Sequence, residues 1–190
     1  MLLLIKYTLL YGIVLMLVAL GGMFSEHSGI INIALEGIMV IGGVAGVLTL
    51  TVLPESLSPF LVVLISILVA ALAGVIYSLL LAFASINLKA DQTIGGTALN
   101  MLAPALVLFL IRIVAKQNTL LLLGGDSATW FMLKKSTFGI PKEQDLGVLG
   151  EAFLNKVYLT TYLCILIFVV LSVILYKTRF GLRLRSCGEN

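Results

Sequence analysis

Residues Ser56–Leu88 read SLSPFLVVLISILVAALAGVIYSLLLAFASINL, without a charged side chain between Glu55 and Lys89. The hydrocarbon core of a bilayer is about 30 Å thick, and about 20 apolar residues in a helix cross it. At about 1.5 Å per residue this stretch, as one straight helix, would outrun that core. It must tilt, break or extend into the interface. Uncharged windows recur at 7–25, 37–54, 92–111 and 157–176. The 190 residues are 61% hydrophobic and 11% charged, with mean hydropathy +1.17. Soluble domains average about 45–50% apolar and about 25% charged. The composition excludes a soluble enzyme and predicts an all-α, polytopic transmembrane helix bundle with broken or re-entrant segments.

Five spans are expected in a single transmembrane domain over 1–190, at about 2–24, 29–53, 57–86, 93–113 and 157–176. Leu2–Phe24 is apolar except for Lys6; no small-x-small cleavage site ends it, so it reads as a retained helix. Pro54-Glu55 stops the second span, and the fourth carries Pro104. Residues 114–156 form the long polar stretch, with lysines at 116, 134, 135, 142 and 156 and acids at 126, 143, 145 and 151. Its apolar residues, Phe138, Ile140, Leu149 and Phe153, suit an amphipathic loop lying along the membrane surface, with a docking site as the competing reading. Lys177, Arg179, Arg183 and Arg185 crowd the C-terminal segment 177–190. Basic density in short flanking segments marks the cytoplasmic side. The C-terminus is therefore expected inside and the 114–156 loop outside. Five full spans then put the N-terminus outside, against which Lys6 argues.

The net charge of +3 comes without a basic cluster interleaved with aromatics, so no nucleic-acid partner is expected. Cys164 and Cys187 read as small packed hydrophobes. One histidine and no Cys/His spacing leave no structural zinc and no metal site. Gly42 and Gly46, and Ala70 and Gly74, are spaced by four and read as helix-packing faces.

Three polar constellations remain. In FSEHSGIINIALEG, Phe24–Gly37, Ser28, Asn32 and Glu36 form one stripe if the stretch is helical. A carboxylate at membrane depth costs a few kcal/mol or more and usually faces a bundle interior or an aqueous cavity. Its competing role is a hydrogen bond to a neighbouring helix, or a snorkel to the surface. In LKADQTIGGTALNMLAP, Leu88–Pro104, the residues Gln92, Gly96 and Asn100 share the same spacing. Pro104 has no N–H for the Asn100 carbonyl, and Gly95-Gly96 lets the chain bend or approach another backbone. Cavity-lining irregular backbone and a plain proline kink both remain open there. The third, YKTRFGLRLRSCGEN, Tyr176–Asn190, alternates basic and apolar residues. It fits either a positive stop or a short cytoplasmic helix offered to a partner.

Taken in order, these segments resemble the permease subunits of ATP-binding-cassette (ABC) importers, most closely the nucleoside and simple-sugar (ribose-type) branch. The family's GxxNIGLEG-like element is matched by Gly29–Gly37, with Ala34 where glycine is usual. Its ADQ…GxALN element is matched by Ala90–Gln92 and Ala98–Asn100, and its YxTRFGLRLRAVGEN element by Tyr176–Asn190, with Ser186-Cys187 for Ala-Val. The 114–156 loop matches least well, being poor in proline. The resemblance implies a plasma-membrane permease that pairs with a second permease as a homo- or heterodimer. It further implies a cytoplasmic ABC ATPase and an extracellular substrate-binding lipoprotein. Asn32, Glu36, Gln92 and Asn100 would lie on or near the substrate path; Arg179, Gly181, Arg183, Arg185, Gly188 and Glu189 would couple to the ATPase. Similar proteins continue through further spans, so this chain is expected to be the N-terminal part of such a protein.

The chain contains no G-x-x-x-x-G-K-[ST] phosphate loop, so ATP and magnesium are expected on the partner ATPase, with no cofactor held here. The sequence offers no paired catalytic carboxylates and no Ser/His arrangement for an intramembrane enzyme. The alternative function is an ion channel or secondary transporter with Glu36 as its proton or cation site. Amides and one carboxylate suit a hydroxyl-rich solute, whether ribose or a nucleoside. The orientation has a direct test. A single cysteine at Arg183, with Cys164 and Cys187 replaced, should stay unlabelled by an impermeant thiol reagent in intact cells and react in inverted vesicles. Labelling in intact cells overturns the orientation.

Overall fold

The computed structural model describes residues 1–54, 57–115, 132–135, 139–141 and 147–188. Along them run α1 (Leu2–His27), α2 (Leu35–Val52), α3 (Pro59–Ile86), α4 (Gln92–Ala115), β1 (Met132–Leu133), α5 (Gly147–Leu154), β2 (Val157–Tyr158), α6 (Leu159–Lys177) and α7 (Arg179–Gly188). Five of these helices, α1 to α4 and α6, are long and apolar enough to cross a membrane. The chain divides into two compact units, Met1–Ser28 with Thr129–Asn190, and Gly29–Ala128.

The second unit is a three-helix layer in which α2 packs on both α3 and α4. Pro59 opens α3, where its missing N–H costs nothing. The helix then runs 28 residues, about 42 Å, without a break. Of the three ways to fit a long apolar run, breaking is thus not the one taken. Asp91 starts α4 by accepting the N–H groups of Thr93 and Ile94 at 2.8 and 3.0 Å. The small residues expected to pack do meet. A Cβ on Gly42 would stand 3.1 Å from the Ala70 carbonyl oxygen, one on Gly46 3.3 Å from the Ala70 Cβ, and Gly74 receives Ile38. Ile41, Tyr77, Ala103 and Val107 form the core between the three helices.

Pro104 does not break α4, which continues helically to Ala115. Irregular backbone lies instead at Gly29–Ala34, ahead of α2. Gly29, at φ 87, takes the left-handed conformation that glycine alone adopts freely.

In the first unit α1 packs on α5, α6 and α7. Near its start Lys6 Nζ donates to the Asn155 carbonyl at 2.6 Å, and at its end the His27 ring meets Tyr176. The helices α1 and α6 therefore run parallel, with Lys6 and the β2 turn at one end and α7 at the other. Two residues of β1 pair antiparallel with β2, Met132 opposite Tyr158 and Leu133 opposite Val157. At the sharp corner between α6 and α7, Gly181 lies against the Leu175 carbonyl, where any side chain would collide.

The close α2–α3 contact yields a paired test. Gly42→Ile forces the helices apart and should cost about 1–3 kcal/mol in thermal unfolding, the usual range for overpacking. Gly43→Ile, at a position with nothing within 4 Å of a built Cβ, should leave the melting temperature nearly unchanged. Equal effects would contradict the packing.

Candidate functional site

One face of α4 grips the non-helical segment before α2. The Ile31 N–H donates to Gln92 Oε1 at 2.9 Å. Asn100 works in both directions: its Nδ2 donates to the Ile33 carbonyl and its Oδ1 accepts the Gly37 N–H, each at 2.7 Å. Between these two side chains, a Cβ on Gly96 would stand 3.0 Å from the Ile33 Cβ and 3.3 Å from the Ala34 nitrogen. Gln92, Gly96 and Asn100 thus share a helical face, as their spacing requires, and that face is a clamp on backbone. Asn32 acts within the segment, its Oδ1 accepting the Ala34 N–H at 3.1 Å. Ala34 is fully buried at φ −74, a conformation open to any residue, so alanine fits this close approach.

The stripe of Ser28, Asn32 and Glu36 does not form, because residues 28–34 are not helical. Ser28 instead donates its hydroxyl to the Ser25 carbonyl at 2.6 Å, closing the end of α1. Glu36 is exposed on the first turn of α2. Gly37 faces α4, and Gly42 and Gly46 face α3. At about 100° per residue, Glu36 and Gly43 fall on the remaining arc, which neither neighbour covers. The carboxylate therefore stands on the open face of α2, beside the clamped segment and near the positive end of the helix dipole.

Tyr77 has a role the sequence did not reveal. Its hydroxyl donates to the Leu99 carbonyl at 2.6 Å, tying α3 to α4 one residue before Asn100. A tyrosine within an apolar run gives no sign of whether its hydroxyl has a partner.

In the first unit the basic residues of α7 divide into two kinds. The Arg185 guanidinium lies 5.7 Å from the centroid of the Tyr176 ring, whose edge meets His27 at 6.1 Å between centroids. Arg185 is thereby half-buried and turned back toward α6, while Arg179, Arg183 and Gly188 are exposed. Glu189, also expected in the coupling segment, lies outside the described residues.

At the other end of this unit Lys135, only 7% exposed, pairs with Glu151. Glu151 also accepts from Asn155 Nδ2 at 2.7 Å, and the Asn155 carbonyl holds Lys6. The lone charge in the first span is thus accounted for. Of the four apolar loop residues, Phe153 is 41% exposed and Ile140 half-buried. Phe138 and the Leu149 side chain lie outside the described residues, as do Lys116, Asp126, Lys142, Glu143 and Asp145. Among the described residues no group of three His, Cys, Asp or Glu side chains could hold a metal ion.

The family described as "Branched-chain amino acid transport system / permease component" matches residues 4–190. The chain is similar to the guanosine ABC transporter permease protein NupQ of Bacillus subtilis, 41% identical over 187 residues, 96% of this chain and 54% of that protein. It is likewise similar to the nucleoside ABC transporter permease protein NupC of Lactococcus lactis subsp. cremoris, 38% identical over 185 residues, again 96% and 54%. A putative glucose ABC transporter permease protein of Haloferax volcanii is 27% identical, over 93% of this chain and 49% of its own. The chain spans about half the length of the curated relatives it matches. No solved structure matches it.

The Lys135–Glu151 network predicts a pH effect. Hydrogen bonds from Lys135 and then Asn155 hold the Glu151 carboxyl below its ordinary value of 4.5. A carboxyl depressed in the folded state stabilises it fully above the unfolded value and loses that contribution as pH falls through the folded one. Protection of the α5 amides, taken relative to their intrinsic exchange rates, should therefore fall as pH drops through the depressed Glu151 value. Glu151→Gln should exchange faster already at neutral pH and lose this acid step; an unchanged acid step in that variant would contradict the assignment.

Proposed function

The chain belongs to the family of branched-chain amino acid transport system / permease components and is a multi-pass protein of the plasma membrane; from that premise we propose that it forms the membrane-spanning permease part of an ABC importer for a nucleoside. The observation that carries this reading is the 38–41% identity, over 96% of the chain, to two proteins named for nucleoside and guanosine transport. A simple sugar is the second reading, supported by the 27% identity to the putative glucose permease. The family does not favour an ion channel or secondary transporter built on Glu36.

In this proposal the chain has no catalysis of its own. A cytoplasmic ABC ATPase binds ATP and magnesium, an extracellular lipoprotein delivers the solute, and a second permease subunit completes the path. Glu36 and Asn32 sit on the path, where a carboxylate and an amide can hydrogen-bond sugar hydroxyls. Gln92 and Asn100 shape it by holding the Gly29–Ala34 backbone in place. On α7 the exposed Arg179 and Arg183 meet the ATPase together with the exposed Gly188, and Glu189 belongs to the same coupling segment by sequence. Gly181 and the Arg185–Tyr176 contact hold the helix at its angle. Residues 114–156 face outside and α7 faces the cytoplasm.

Uptake in cells tests this. Removing the gene should abolish import of labelled guanosine, and restoring it with Glu36→Gln should recover insertion but only a small part of the uptake rate. Loss of branched-chain amino acid uptake with guanosine import intact overturns the substrate. Guanosine import that stops when the proton gradient is collapsed at constant ATP favours the ion-coupled alternative.

A further inference from the structure

A cavity of about 220 Å³ opens in the first unit between the N-terminal turns of α1 and the turn from β2 into α6. Two lysines line it, Lys6 from α1 and Lys156 from the residue before β2. Lys6 spends one N–H on the Asn155 carbonyl and keeps two. Lys156 is exposed and makes no ion pair among the described residues. Its backbone is held at φ 54, a left-handed conformation that a lysine adopts only under constraint. The nearby carboxylate of Glu151 is already engaged by Lys135. Among the described residues the cavity thus gathers two lysines with no carboxylate in its lining, and Glu151, which Lys135 engages, is the acid whose charge Lys6 feels.

The rest of the wall is amphipathic. Tyr158 and Thr161 bring hydroxyl-bearing side chains to the lining, while Leu10 and Tyr7 supply apolar surface. From there the outer side of α1 continues as exposed apolar residues, among them Tyr11 at 63% and Leu15 at 61%. Tyr7 and Tyr11 stack with centroids 6.3 Å apart on the same helix. Paired tyrosines at the end of a span mark the headgroup level of a bilayer.

We propose that this cavity is a headgroup site for an anionic phospholipid of the phosphatidylglycerol type, whose acyl chains lie along α1. The charge complementarity selects against zwitterionic lipids, which carry their own ammonium toward the two lysines. The apolar ramp along α1 favours a lipid over a free anion, which has no use for it.

The full chain, reconstituted in nanodiscs containing equal phosphatidylglycerol and phosphatidylcholine, then released for native mass spectrometry, tests the site. The chain should retain phosphatidylglycerol in about tenfold excess, a ratio in keeping with two lysines at a membrane surface. Lys6→Gln with Lys156→Gln should bring the ratio to parity. Lys156→Gln alone, which gives up no hydrogen bond seen here, should lower it part of the way, and Lys156→Arg should restore it. Lys89→Gln, an exposed lysine of the second unit, should leave it unchanged. Equal retention of both lipids by the unaltered chain overturns the proposal, as does an undiminished excess in the double variant. Displacement of the bound lipid by millimolar inorganic phosphate would reassign the site to a free anion and equally overturn it.

Discussion

The side-chain amide of Asn100 is the interaction on which the second unit depends. A stretch of backbone that is neither helix nor strand leaves its N–H and C=O groups to be satisfied individually, and at membrane depth no water does so. Asn100 supplies a donor to the Ile33 carbonyl and an acceptor for the Gly37 N–H from a single side chain. Gln92, two turns earlier on α4, takes the Ile31 N–H. Gly96 between them leaves the room that lets the backbone come close enough. A carboxylate at position 100 would lack the donor and a leucine would lack both.

The clamp has consequences for α2 and for the proposed path. With Gly37 drawn onto α4, the helix must start at Leu35, and its first turn sets where Glu36 points. The Gly42 and Gly46 contacts with α3 then leave one arc of α2 open, and Glu36 stands on it. An irregular segment can thus fix where the Glu36 side chain starts, because its backbone is anchored from outside by α4.

The helical architecture was legible in the sequence because charge-free windows bounded by Lys, Arg, Asp and Glu report the bilayer directly. Small residues at spacing four marked packing faces on α2 and α3, since close approach needs missing side chains and little else does, but which faces meet was not legible. The Gln92–Gly96–Asn100 face was legible as a face but not as a clamp, because spacing tells which side chains align and not what they meet. The expected Ser28–Asn32–Glu36 stripe failed because a four-residue spacing was read as helical across Gly29, whose left-handed backbone ends that periodicity. Of the two readings open at Pro104, irregular backbone is not the one taken: α4 stays helical past the one carbonyl that Pro104 leaves without its helical partner. Long-range polar contacts such as Lys6 with Asn155 left no local trace, since partners 149 residues apart share no pattern.

Amide hydrogen exchange at Gly37 and Ile31, resolved by residue in the reconstituted chain, bears most directly on the clamp. Leaving a buried amide without its acceptor costs about 2 kcal/mol, or roughly thirtyfold in the opening equilibrium. Asn100→Leu should therefore raise exchange at Gly37 by about that factor, while Asn100→Asp, which retains the acceptor, should keep most of its protection. Exchange at Gly37 that is the same in the leucine variant as in the unaltered chain would contradict the account.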